Sequence, residues 1–191
     1  MSQQVSNIVV HPDFYTSQDS DLAVLKLKDK AKISESVLPV CLPEIQGGEV
    51  TSQEAFTVRW MSPNDQRSLS RYTPLSQTKL VEFGDIAQCE REFAQGGAHS
   101  TVLSHNTLCV IGKPSSLQSP CPSVIPGIAT TPVAFSSTSG ILSGHEETPR
   151  VRWQLLGLES FIYKETHCHQ QTYTLQTKIA NFRDWIAANI K

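Results

Sequence analysis

The chain has 191 residues, of which 39% are hydrophobic and 18% charged, and its net charge is -2. That length supports one sizeable domain or two small halves sharing an interface, and the apolar fraction permits a real core. The near-neutral balance gives no electrostatic case for nucleic acid or a membrane surface as partner. No apolar run reaches the roughly 18 residues that a membrane helix needs.

The first seven residues hold neither a basic n-region nor an apolar h-region, so no signal peptide is expected in this chain. Short strand-like runs separated by Pro, Gly and Ser clusters then follow. Val5 to Val10 reads as a strand, and Leu22 to Leu27 as a second with partial alternation. Ala55 to Trp60 and Leu75 to Phe83 read as strands. Asp85 to Phe93 reads as a short helix, because Ile86, Cys89 and Phe93 fall on one face. Asn106 to Ile111, Val151 to Ile162 and Tyr173 to Thr177 complete the strands. Ile179 to Ile190 reads as a helix with Ile179, Phe182, Trp185, Ile186 and Ile190 at helical spacing, and Thr177 is the expected cap. Residues 112–127 and 136–149, rich in Ser, Thr, Pro and Gly, read as long loops. Many short strands at this spacing predict an all-β barrel or sandwich closed by a helix.

The five cysteines, Cys41, Cys89, Cys109, Cys121 and Cys168, form no Cys-x-x-Cys pair, which argues against a zinc ribbon or a thioredoxin-type site. By count and spacing alone they fit two disulfides plus one leftover, or five reduced thiols.

A set of ordered segments resembles the trypsin-like (chymotrypsin-fold) serine proteases. His11-Pro12-Asp13-Phe14-Tyr15 followed by Asp21 to Leu27 resembles the family's His-Pro-x-Tyr … Asp-Ile-Ala-Leu-Leu-Lys-Leu. Leu38 to Pro43 resembles its Leu-Pro-x-Cys-Leu-Pro connector, and Thr57 to Trp60 lies where the family has a Gly-Trp-Gly strand. Asn106 to Cys109 resembles the strand ending in Met-x-Cys, and Trp153 to Phe161 resembles Trp-x-Leu-x-Gly-Ile-x-Ser-Trp. Tyr173-Thr174 and Phe182 to Ile186 resemble the closing strand and helix. The resemblance implies a trypsin-like peptidase domain over residues 1–191. Residues 1–50 would be a remnant of the first barrel with its connector, and residues 51–191 the second barrel with its C-terminal helix. It further implies disulfides Cys89–Cys109 and Cys121–Cys168, and a Cys41 that is unpaired here or joined to an upstream segment or another chain. Each loop closure would add roughly 3 kcal/mol, and such bonds imply an oxidising, extracellular setting.

The same resemblance exposes what is missing. Serine proteolysis needs a hydroxyl nucleophile, an imidazole that takes its proton, a carboxylate that orients the imidazole, and N–H donors for the oxyanion. Asp21 matches the triad carboxylate. The template's histidine lies roughly 45 residues before that Asp, whereas only twenty residues precede Asp21. His11 holds the structural His-Pro position, and His99, His105, His145, His167 and His169 match no general-base motif. The nucleophile motif Cys-x-Gly-Asp-Ser-Gly-Gly-Pro is replaced by Cys121 to Pro132, longer by four residues. Counting back from Pro132 puts Ala129 at the serine position and Ile128 at the aspartate, while counting forward from Cys121 puts Ile125 at the serine. Ser123, without flanking glycines, reads as a surface serine. Ser119 stands where an acidic residue would select Lys or Arg. Ser160-Phe161-Ile162 stands where Ser-Trp-Gly lines the substrate wall, so Ile162 would intrude on the cleft.

His167-Cys168-His169 has the residue types of a metal site. A disulfide at Cys168 would withhold its thiolate, and neighbouring side chains on a strand point to opposite faces, so no metal is expected. No cofactor is expected either. The functional expectation is an inactive, secreted protease homologue that binds a protein partner or serves as a structural module. The alternative is a serine endopeptidase fragment, active only with an upstream half or through a displaced nucleophile.

Overall fold

The computed structural model describes residues 3–16, 19–35, 37–43, 55–61, 75–95, 104–112, 128–134, 151–162 and 172–190. Eight strands and two short α-helices occupy them, in the order β1 (Val5–Val10), β2 (Ala23–Leu27), β3 (Ala55–Met61), β4 (Leu75–Gly84), α1 (Ile86–Gln95), β5 (Thr107–Gly112), β6 (Ile128–Ala134), β7 (Val151–Ile162), β8 (Thr172–Lys178) and α2 (Arg183–Asn189). Turns of 3-10 helix follow β1 at Pro12–Tyr15 and join β8 to α2 at Ile179–Phe182.

β1 and β2 form a two-stranded antiparallel sheet, with Ile8 opposite Leu25 and Val10 opposite Ala23. Opposed residues share a face, so Val5, Ile8, Val10, Ala23, Leu25 and Leu27 line one side. All six are exposed. The other side, with Val9 and Val24, is half-buried. Polar–apolar alternation normally sends the apolar face inward. Here the apolar face points to solvent among the described residues.

The remaining strands close into a six-stranded antiparallel barrel of order β3-β4-β5-β8-β7-β6, sealed by β3–β6 pairing from Phe56–Thr130 to Val58–Ile128. Closure removes the exposed edges that an open sheet would present. Ala55, Val81 and Val110 are buried together, with Phe83 and Leu108 packed against them. On the outer face of β5 and β8, Cys109, Ile111, Tyr173 and Leu175 are covered by Cys89 and Phe93 of α1. This is the helix face that the sequence spacing predicts. Asp85 starts α1 by accepting from the Ala87 N–H through its carboxylate at 3.2 Å, an N-cap contact. The Cys89–Cys109 disulfide then bolts α1 to β5. Gly84 is required at the entry to α1, because a Cβ there would lie 2.7 Å from Ile111 Cδ1 and 2.9 Å from Cys109 Sγ.

Residues 128–134, which lie between the two predicted loops and carry no predicted element, form β6, paired to β7 along its whole length, and two expectations are corrected. Pro132 argues against a strand in sequence. It is tolerated because β3 partners β6 only as far as Thr130, leaving one side of Pro132 without a ladder partner. The C-terminal helix is not continuous from Ile179. Phe182, at φ -108° and ψ 7°, separates the 3-10 turn from α2. Ile179 and Phe182 are still buried and Trp185 and Ile186 half-buried, so the first part of the apolar stripe docks, whereas Ile190 is exposed. Thr177 caps nothing. It lies in β8, and its hydroxyl donates to the backbone carbonyl of Asp21 at 3.2 Å.

Several contacts tie the β1–β2 sheet to the barrel. The His11 ring packs edge-on to Phe182 at 5.1 Å and against Trp185 at 4.8 Å. Asn106 donates to the Asp19 carboxylate, and Leu22 is buried. The connector lies along β7 as a parallel bridge, the Cys41 N–H donating to the Trp153 carbonyl and the Leu155 N–H to the Cys41 carbonyl, both at 2.9 Å. Arg183 of α2 donates to the Pro43 carbonyl at 3.2 Å.

Candidate functional site

A short polar contact between the two sheets lies at the predicted triad carboxylate. Asp21 stands two residues before β2, and its Oδ2 accepts the Ser160 hydroxyl at 2.7 Å. A hydroxyl on an ionised carboxylate at that distance is a charge-assisted bond, stronger than a neutral pair. Ser160 reaches Asp21 because β7 is bulged. Glu159 pairs with Gln176 and Phe161 pairs with Leu175, which leaves Ser160 as the extra residue. A bulge re-aims the side chain it carries. Asp21 is therefore held at both ends, its carboxylate by Ser160 and its backbone carbonyl by Thr177.

In a working triad an imidazole would also hydrogen-bond that carboxylate, of which Ser160 engages only Oδ2. Among the described residues no histidine hydrogen-bonds Asp21. His11 is committed elsewhere: its ring is buried between Phe182 and Trp185, and its Nδ1 accepts the Asp13 N–H at 3.2 Å. His105 lies in the exposed turn before β5, where its carbonyl accepts from Asn181. His99, His145, His167 and His169 lie outside the described residues.

Ala129 sits inside the ladder of β6, opposite Thr57 on β3 and Gly157 on β7. Gly157 is three residues before Ser160, so Ala129 stands roughly 10 Å along the strand from the Asp21 contact at about 3.3 Å per residue. Ser119, Cys121, Ser123, Ile125 and Cys168 lie outside the described residues. Phe161 and Ile162 have their backbones in β7, opposite Leu175 and Thr174. Of the disulfide expectations, Cys89–Cys109 is present, and Cys41 is free and exposed.

One residue near the site escapes sequence reading altogether. Gln176 of β8 is 0% exposed, yet neither its amide nitrogen nor its amide oxygen finds a partner among the described residues. Its side chain lies against Gly157, the diagonal neighbour on β7, where a Cβ would lie 2.5 Å from Gln176 Oε1. A Gln in a strand that otherwise alternates gave no signal of this.

Strand order, the helix bolted to β5, and a carboxylate held by a β7 hydroxyl together define a trypsin-type serine protease fold, and the chain belongs to the trypsin family. The Trypsin family profile matches residues 2–124. The chain is similar to the Inactive serine protease PAMR1 of Homo sapiens, 33% identical over 193 residues and covering 100% of this chain and 25% of that protein. It is also similar to the Inactive serine protease PAMR1 of Xenopus tropicalis, 30% identical over 191 residues, with 98% of this chain and 25% of that protein covered. The Vitamin K-dependent protein C of Mus musculus is 26% identical over 195 residues, with 97% and 36% covered. The chain thus spans 25% of the length of the first two relatives. No helix among the described residues is long and apolar enough to cross a membrane.

Proposed function

We propose that the chain is a catalytically inactive serine-protease homologue that acts as a protein-binding or structural module of a secreted protein. The observation that carries this reading is that no imidazole reaches the Asp21 carboxylate among the described residues; the Ser160 hydroxyl engages one of its two oxygens and does not replace that base. A carboxylate without its histidine has no proton to direct. Ala129 at the serine position would supply no nucleophile, and its place within the β6 ladder supports that reading. The inactive label in the relatives' names points the same way. The Cys89–Cys109 disulfide supports an oxidising, extracellular location. A rigid barrel carrying long connections is the form in which such a domain presents a binding surface. Exposed Cys41, on the connector beside β7, is the point at which a covalent link to another segment or chain would be made. Likeness to a modular protein associated with muscle regeneration is what points to tissue regeneration as the setting.

A serine-reactive fluorophosphonate probe, run beside a peptide-library cleavage assay, tests the reading. The expected result is no stoichiometric label and no turnover above a heat-treated control. Labelling of one residue in the native fold, abolished by heat, would sink it and return the chain to the endopeptidases.

A further inference from the structure

The residues that leave the β1–β2 sheet carry a charge pattern that plays no part in the Asp21 site. Residues 26–32 read Lys-Leu-Lys-Asp-Lys-Ala-Lys, with Lys26, Lys28, Lys30 and Lys32 at every second position and Asp29 as the single acid. This is a net +3 within seven residues of a chain whose overall charge is -2. Lys28, Lys30 and Lys32 are exposed. The Lys28 ammonium meets only a neutral group, Gln4 Oε1, at 3.4 Å. Among the described residues, Lys28, Lys30 and Lys32 enter no ion pair. The positive charge of Lys28, Lys30 and Lys32, outside any ion pair among the described residues, is a local field available to an anion.

We propose that this lysine strip binds a sulfated polysaccharide. The chemistry of the strip selects that ligand over an acidic peptide. It contains no arginine, whose planar fork pairs with carboxylates in two parallel bonds, and only lysines, which act as strongly hydrated point charges. It contains no aromatic residue to anchor a peptide in a desolvated pocket, where protein interfaces gain most of their energy. What it offers is charge repeated at every second position of an exposed segment. A flexible polymer with sulfate groups repeated along its length matches that array. The binding energy is then mostly counterion release, and the interaction is steeply salt-dependent. The inference is independent of whether the Asp21 site is inactive.

The test is retention of the intact chain on immobilised heparin, eluted with a NaCl gradient. Apparent affinity is also measured at several salt concentrations. Desulfated heparin, poly-glutamate and vesicles containing phosphatidylserine serve as competing probes. The strip is removed with K28Q/K30Q/K32Q, and a charge-matched control carries K113Q/K164Q/K191Q. Circular dichroism verifies that both variants keep the fold. The expected result is retention of the wild type and of the control. The strip variant should flow through, with at least a tenfold loss of affinity and a salt slope shallower by about 2, as three lost contacts imply. No retention of the wild type at 50 mM NaCl, or equal loss in both variants, overturns the proposal. Poly-glutamate or vesicles binding as tightly as heparin also overturns it, the first in favour of an acidic protein and the second of a membrane.

Discussion

Replacing Cys89 and Cys109 together by Ala tests whether α1 depends on its covalent bolt. The cysteines are 20 residues apart in sequence. The chain-entropy relation for a loop of that length gives about 3 kcal/mol of stabilisation at 25 °C, through restriction of the unfolded chain. Both positions are buried, at 0% and 2% exposure, so the lost sulfurs leave a small void that adds to the cost. Alanine is the right replacement, because a serine hydroxyl in that apolar cluster would add a desolvation penalty of its own. The assay is urea unfolding followed by tryptophan fluorescence, with the oxidised parent and the double variant in the same buffer. With a slope of about 2 kcal/mol per molar urea for a chain of this size, the midpoint should fall by roughly 1.5 M. A fall of less than about 0.5 M, near 1 kcal/mol on that slope, would refute the reasoning. Cys89, Phe93 and their neighbours would then hold α1 on the barrel without the crosslink.

Gln176→Leu should stabilise the barrel by about 1–3 kcal/mol, because it removes two buried amide atoms without partners. A lower melting temperature would mean that the amide is satisfied by internal water. Gly84→Ala should destabilise by about 1–3 kcal/mol, since the new Cβ collides with Ile111 and the Cys109 sulfur; unchanged thermal unfolding would contradict that contact. A double-mutant cycle on Asp21→Asn and Ser160→Ala should return a coupling of about 1.5–3 kcal/mol, the range for a hydrogen bond to a charged group. Additive effects would show that the 2.7 Å contact does not join the two sheets. Ile8→Lys with Leu25→Lys should reduce self-association in sedimentation experiments by interrupting the exposed apolar face of β1–β2. An unchanged sedimentation profile would mean that this face is not what brings copies together.

Much of the architecture was legible in residue order. Alternation in Leu22 to Leu27, the spacing of Ile86, Cys89 and Phe93, and the Pro and Gly punctuation predict strands and a helix close to those observed. The stripe of Ile179 and Phe182 predicts burial, although the backbone there is a 3-10 turn before α2. β6 was hard to read because Pro132 interrupts the β-branched run of Ile128, Thr130, Thr131 and Val133, and a proline argues against a paired strand. Its strand character comes from β7, which pairs with it from Ile128 to Ala134.

The site divides in the same way. The Cys89–Cys109 pair was readable through the family resemblance, which count and spacing of the cysteines alone left open. Ser160 was readable as a position on a strand but not as the partner of Asp21, from which it is separated by 139 residues. That meeting depends on a bulge in β7 and on the seating of one sheet against the other. Thr177, read locally as a cap, was claimed instead by the Asp21 carbonyl. The chain by itself determined most of the strands, β6 excepted, and the face by which α1 packs on the barrel. These are properties of short windows, set by side-chain periodicity and residue identity. Only the tertiary structure decided that Gln176 is sealed against Gly157 and that the apolar side of β1–β2 faces solvent. Burial and partnership belong to whatever the folded chain brings alongside a residue, and no local window contains that neighbour.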